Sequence, residues 1–243
     1  YDVLFSRRDV RGQFLPDAIP ADVLARILYA AHHAPSVGLS QPWNFLLIRD
    51  RDKRRQVHQN FCDSRECEAA QFSGVRQHQY RALKLEGILD APINLLVTCD
   101  SSRSGEVVLG RTRQPQTACY STVCAVQNLW LAARAEGLGV GWVSILDTAV
   151  LHRIFPLPTS VIPVAYLCLG YVSDFYCQPE LAEKHWAQRL PIEHLVFTDQ
   201  WAQQDTDDEI FAALNEQRAF PEISTRRNLC QQHYSPLSEE NND

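Results

Sequence analysis

The sequence predicts one layered domain of the α/β or α+β class. Three observations carry that expectation. Short apolar runs with β-branched members alternate along the chain with longer stretches of helical periodicity. Clusters of Gly, Pro, Asn, Asp and Ser separate the two kinds of segment. The 243 residues, 45% of them hydrophobic, suffice for a sizeable core and favour one large domain over two small ones.

The first helix is expected over residues 21–31. Pro20 opens it, and Val23, Leu24, Ile27, Leu28 and Ala31 recur at helical spacing, giving one inward apolar face. Pro35 ends it, and Ser36-Val37-Gly38 with Gln41-Pro42 reads as a turn-rich loop before a strand at 43–48. Residues 51–86 are rich in Arg, Gln and Glu, with scattered Phe61, Phe72, Tyr80 and Leu83, and are expected as exposed helices that cover the domain. A buried strand follows at 93–99, bounded by Pro92 and by Asp100-Ser101-Ser102. After a loop at 101–116, residues 120–136 lack Gly and Pro. There Val123, Val126, Leu129, Trp130 and Ala133 cover much of the circumference, which suits a central helix, and Gly137 and Gly139 are expected to stop it. Strands are expected at 141–146, running into a turn, and at 162–170. Beyond Trp201 the composition turns polar, with one short helix around Ile210, Phe211 and Leu214 and an acidic, unstructured end at 238–243.

Composition excludes several classes of function. The formal net charge is -6, from 23 Lys plus Arg against 29 Asp plus Glu, which argues against binding nucleic acid by bulk electrostatics. No apolar run approaches the roughly 20 residues that cross a bilayer, and Tyr1-Asp2-Val3 does not begin a secretory leader. The expectation is a soluble cytoplasmic protein without a membrane partner, its first residues trimmed because the chain lacks Met. Eight cysteines in a chain able to build its own core, none in a Cys-x-x-Cys pair, are expected as reduced thiols that pack. Cys62 with Cys67 and Cys119 with Cys124 are not followed by His at zinc-finger spacing, so no metal site is expected.

Three clusters carry chemistry. Ser6-Arg7-Arg8-Asp9-Val10-Arg11 places three guanidinium groups around one carboxylate, a set that can hold a phosphate or the edge of a flavin ring and also reads as a solvated surface run. Gly137-x-Gly139-x-Gly141 follows a helix instead of opening one, so it is not a dinucleotide fingerprint. The second cluster, from His32-His33-Ala34-Pro35-Ser36-Val37-Gly38 to Gln41-Pro42-Trp43, offers hydroxyls at Ser36 and Ser40 and a Gly38 backbone that a ligand can approach, with the histidines reading as structural. The third is Trp142-Val143-Ser144-Ile145-Leu146-Asp147, where a hydroxyl interrupts an apolar strand end without a nucleophile elbow around it.

Together these strings resemble the nitroreductase-like flavoprotein superfamily over about residues 1–201, leaving 202–243 as an extension. The distinguishing strings are Arg7-Arg8-Asp9-Val10-Arg11, the Ala34-Pro35-Ser36 loop before Gln41-Pro42-Trp43, and Gly141-Trp142-Val143-Ser144-Ile145. Asp9 points to a branch that consumes reduced FMN, since ordinary relatives more often carry Ser there.

The resemblance implies an α+β fold with a central mixed, mainly antiparallel sheet flanked by helices, in an intertwined homodimer. It implies that reduced FMN is substrate and O2 co-substrate, giving 5,6-dimethylbenzimidazole and a tetrose phosphate, with reduced FMN delivered by a separate NAD(P)H-dependent flavin reductase. Asp9 is then the acid/base and Ser144 a hydrogen-bond donor. Arg7, Arg8, Asp9, Val10, Arg11, Ser36, Lys84, Ser144, Ile145, Leu146 and Arg189 contact the flavin, and residues 51–86 supply a lid. Two departures stand out: Leu39-Ser40 replaces bulkier apolar residues, and Ala187 replaces a basic companion of Arg189, which weakens the phosphate site unless another arginine substitutes. The alternatives are an NAD(P)H-dependent nitroreductase or flavin reductase using FMN catalytically, and a flavin-binding module without chemistry.

Overall fold

Four strands form one sheet in the order β1-β2-β4-β3, in a computed structural model that describes residues 1–205 and 208–219. They are β1 (Trp43–Ile48), β2 (Ile93–Asp100), β3 (Leu138–Val143) and β4 (Val161–Tyr171). All three ladders between them are antiparallel, and the parallel element is a single bridge between Asp9 and Val140. That register decides for α+β against the α/β alternative, because parallel strands would each need a crossover connection.

The period-2 pattern of the strands divides the core between two faces. On one face Leu95, Val97, Leu167 and Leu169 pack with Leu24, Ile27 and Ala31 of α2 (Ala21–His32) and with Ala125, Val126, Leu129 and Ala133 of α5 (Thr117–Ala135). On the other, Leu96, Tyr166 and Cys168 meet Val57 and Phe61 of α3 (Arg51–Ala69) and Leu151 of α6 (Thr148–Ile154). The remaining helices are α1 (Asp2–Ser6), α4 (Gly74–Ala82), α7 (Glu180–Glu183) and α8 (Glu209–Ala219). Among the described residues no helix is long and apolar enough to cross a membrane, and the seven described cysteines are free.

Several expectations are corrected. Helix α3 is not an exposed cover along its whole length: Val57 and Phe61 are buried, and Arg54 reaches through to the carbonyls of Ile88, at 3.1 and 2.7 Å, and of Ala91. Its polar average hides this, because one narrow stripe is enough to seat a helix on a sheet. Strand β3 begins three residues earlier than expected, so Ser144, Ile145 and Leu146 lie in the turn beyond it, where Leu146 N–H donates to Ser144 O at 2.9 Å. Gly137, at φ +79°, ends α5, whereas Gly139 belongs to β3. On α5, Val123 and Tyr120 point away from the core. Helix α8, where the sequence expects one short helix, lies against the turn at Ile192–Leu195 and buries Phe211. The acidic end at 238–243 lies outside the described residues.

Candidate active site

Glycine lets the N-terminal segment lie against the sheet. Positions 139 and 141 share one face of β3, and a Cβ at Gly141 would stand 2.0 Å from the Val10 carbonyl oxygen. One at Gly139 would meet Val172 Cγ1 at 2.5 Å and Val10 Cγ2 at 2.9 Å. Without those methyl groups the segment docks beside β3, and Val10, itself buried, donates its N–H to Val140 O at 3.0 Å. The Gly-x-Gly string is therefore a docking face for the residues that carry the charges.

That docking orients Asp9. Its Oδ1 accepts the Trp142 backbone N–H at 3.0 Å and its Oδ2 accepts Arg11 Nη2 at 2.6 Å, while 30% of its side-chain surface stays open. Burial among packed neighbours pushes the Asp9 carboxyl above the usual range, against the opposing pull of Arg11, the Trp142 N–H and Arg7. Arg11 is half-buried and divided: its Nη1 lies 3.7 Å from Glu180 Oε2, a carboxylate raised by its own burial.

The neighbouring arginines separate by role. The Arg8 guanidinium is taken up by backbone carbonyls, Phe5 O at 2.7 Å, Arg7 O at 2.8 Å and Cys177 O, so it ties the N-terminus to the segment before α7. Arg7 lies 4.6 Å over the Trp130 ring. Burial lowers its pKa against the opposing pull of Asp9, and the positive charges of Arg8 and Arg189 add to the lowering. Neither Arg7 nor Arg189 forms a salt bridge among the described residues.

Lys84 sits beside this cluster. Its Cγ would be 3.8 Å from a Cβ at Gly12, and its Nζ donates to Glu86 Oε1 and Asp90 Oδ2, both at 2.9 Å, which raises its pKa despite burial. Ser144 is exposed two residues beyond Trp142. The side chains of Ile145 and Leu146 pack on the second core cluster, so they form the floor of the turn that displays Ser144. Ser36 bonds within its own loop, accepting Gln41 N–H at 3.0 Å, and that loop docks against Val108 and Leu109 through Gly38 at φ +54°. The structure thus sets Asp9, Val10 and Arg11 against β3, two residues before the exposed Ser144, and Lys84 beside Gly12, while the side chains of Arg8 and Ser36 bond to backbone groups of the same chain. Ser40 is buried with no hydrogen-bond partner for its Oγ. His32 accepts the Trp43 indole N–H at 3.3 Å and His33 Nδ1 lies 2.8 Å from Tyr29 O, both structural contacts.

Sequence reasoning missed Glu180 and Asn60. Asn60, buried on α3, donates to Asp147 O and accepts from Asp147 N–H, both at 3.0 Å, and Asp147 caps α6 three residues after Ser144. No local pattern announces either residue, since each acts on a segment 87 or more positions away.

Residues 4–171 match the family model described as the nitroreductase family. A 5,6-dimethylbenzimidazole synthase of Rhodospirillum rubrum is 42% identical over 191 residues, covering 78% of this chain and 90% of that protein. Another of that name from Rhodobacter capsulatus is 38% identical over 79% of this chain and 92% of its own length. Among solved structures, an iodotyrosine deiodinase bound to FMN and 3-iodo-L-tyrosine superposes with a TM-score of 0.64 at 22% identity, over 84% of this chain and 99% of that one. A BluB-like flavoprotein from Clostridium difficile gives 0.60 at 21% identity, over 82% and 98%. With its sheet, its glycine-docked N-terminal segment and a family match over most of its length, the chain belongs to the nitroreductase family.

Proposed function

We propose that this protein converts reduced FMN and O2 into 5,6-dimethylbenzimidazole, the lower ligand of vitamin B12, and a tetrose phosphate, the remaining four carbons and two nitrogens of the flavin's pyrimidine ring leaving as a separate oxidised fragment. The observation that carries the reading is the Asp9 carboxyl: docked by Gly141, oriented by Trp142 and Arg11, partly open, and raised in pKa by burial. A carboxyl so placed can hold a proton at Oδ and release it within one turnover, which breaking up a flavin ring requires and simple hydride relay does not. The two relatives at 42% and 38% identity bear the synthase name, which supports the same reading.

Bound reduced FMN supplies both the electrons for O2 and the ring atoms of the product. Arg7 and Arg189 hold its phosphate. Ser144 Oγ donates a hydrogen bond from the turn whose floor is Ile145 and Leu146, and Val10 packs the segment that presents Asp9. Arg11 orients Asp9, and Lys84, neutralised by Glu86 and Asp90, borders the site. The Ser36 loop and the outward Tyr120 and Val123 of α5 suit a homodimer in which a second copy completes each site. Residues 1–201 form the flavin-binding domain, with 202–243 as an extension. A separate NAD(P)H-dependent reductase delivers the reduced flavin, in the cytoplasm, where free thiols stay reduced.

The test mixes the protein with FMN, a flavin reductase and NADPH in air and looks for 5,6-dimethylbenzimidazole by mass. Product is expected from the wild type, with Asp9→Asn and Ser144→Gly binding FMN but forming far less. If FMN survives repeated reduction and reoxidation, the reading fails and the chain uses its flavin as an ordinary nitroreductase would.

A further inference from the structure

Trp186 is gripped by the α4 region. Its ring lies 5.4 Å from Phe72, edge-on at 84°, and 6.0 Å from Tyr80, and the Arg76 guanidinium stacks 3.3 Å from its centre. Arg76 Nη2 also donates to the Trp186 carbonyl at 3.0 Å. The flanking chain is fixed as well: the N–H groups of Trp186 and Ala187 donate to Leu181 O at 2.8 and 3.3 Å, and the Gln188 amide donates to Ala182 O at 3.3 Å. At the other end of this segment Glu180 faces Arg11. Arg189 comes next, and among the described residues its side chain has no hydrogen bond or ion pair of its own. What fixes where its backbone leaves the domain is the anchored segment before it.

We propose that Trp186 is a positioning residue: the grip of Phe72, Arg76 and Tyr80 on its ring holds Arg189 for the flavin phosphate, so preference for FMN over phosphate-free riboflavin is set through α4. This rests on Arg7 and Arg189 as the phosphate-binding pair, and not on the fate of the flavin ring. An arginine that must be searched into place from a loose segment loses part of its binding gain to ordering, and that loss falls only on a ligand carrying the phosphate.

The experiment titrates oxidised FMN and riboflavin into full-length protein by flavin fluorescence, with no turnover needed. Trp186→Ala is expected to weaken FMN about tenfold and riboflavin less than about twofold, Trp186→Phe to restore most of the ratio, and Arg76→Gln to lower it about threefold. An unchanged ratio in Trp186→Ala overturns the proposal, whether neither flavin moves or both weaken together as general loosening would require. Should Trp186→Ala fail to fold, the Arg76→Gln ratio decides by the same criterion. If Arg189→Gln leaves the ratio unchanged, the phosphate assignment falls and the proposal with it. If Arg189→Gln collapses the ratio while Trp186→Ala does not, the assignment survives and only the role of Trp186 is lost.

Discussion

Gly141→Ala tests the architecture of the site with one methyl group. The new Cβ would lie 2.0 Å from the Val10 carbonyl oxygen, a backbone atom that no rotamer change can move, so residues 9–10 must retreat from β3 by more than 1 Å. That retreat breaks two hydrogen bonds: Val10 N–H to Val140 O, worth about 1 kcal/mol, and Trp142 N–H to the Asp9 carboxylate, worth about 1.5–3 kcal/mol. The expected loss of about 2.5–4 kcal/mol lowers Tm by about 5–15 °C in a chain of this size. Because Asp9 leaves its position, product formation is expected to fall about 100-fold as well. Gly137→Ala is the control. Gly137 sits at positive φ, but nothing lies within 4 Å of its Cβ, so it should cost about 1 kcal/mol and spare the chemistry. Circular dichroism melts and the product assay read both variants. A Gly141→Ala protein with wild-type Tm and turnover would refute the docking argument.

Asp9→Asn should lower product by about 100-fold or more, as expected for removal of an acid/base group, with FMN binding retained. Its stability carries a signed pH dependence. A carboxyl raised by burial costs the folded state as it ionises, so the wild type should lose Tm relative to Asp9→Asn as pH climbs from the ordinary carboxylate range through the raised pKa. A gap moving the other way would mean that Arg11 outweighs burial. Asn60→Ala removes both hydrogen bonds to Asp147 and should cost about 2–3 kcal/mol, read as a drop in urea midpoint with reduced turnover from the loosened Ser144 turn; an unchanged midpoint would exclude the clamp. Burial pushes the Cys99 thiol up to about 11 and that of Cys168 further, so mass-mapped alkylation in the native state should reach Cys62 and Cys67 well before either.

Legibility in the sequence followed the range of the interactions. Strands at 43–48, 93–99 and 162–170 stood out because apolar β-branched runs bounded by turn residues have few other uses, and the structure places β1, β2 and β4 there within two residues. Strand β3 was started too late because Gly139, like Gly137, looks like helix punctuation, and its purpose depends on Val10 and Val172 lying across it. Helix α3 looked superficial for a related reason: Val57 and Phe61 are two apolar residues in a polar tract, and only a sheet face beneath them gives them weight. In the site, Asp9 and its arginines announced themselves as an unusual string. That Arg8 would be spent on backbone carbonyls while Arg7 stacks over Trp130 was not visible, since all three arginines have the same chemistry until their neighbours are known.

By itself the sequence determined a layered domain of helices and strands, the positions of most elements, and the strings that carry the family resemblance, because these follow from periodicities and short strings within one element. The tertiary structure decided the antiparallel order of the sheet, the seating of Asp9 on β3, the sharing of Arg11 with Glu180, the Asn60 clamp and the grip on Trp186. Each of these joins segments far apart in the chain through hydrogen bonds or ring contacts that reward a few ångströms of proximity, and proximity of that kind leaves no mark on local composition.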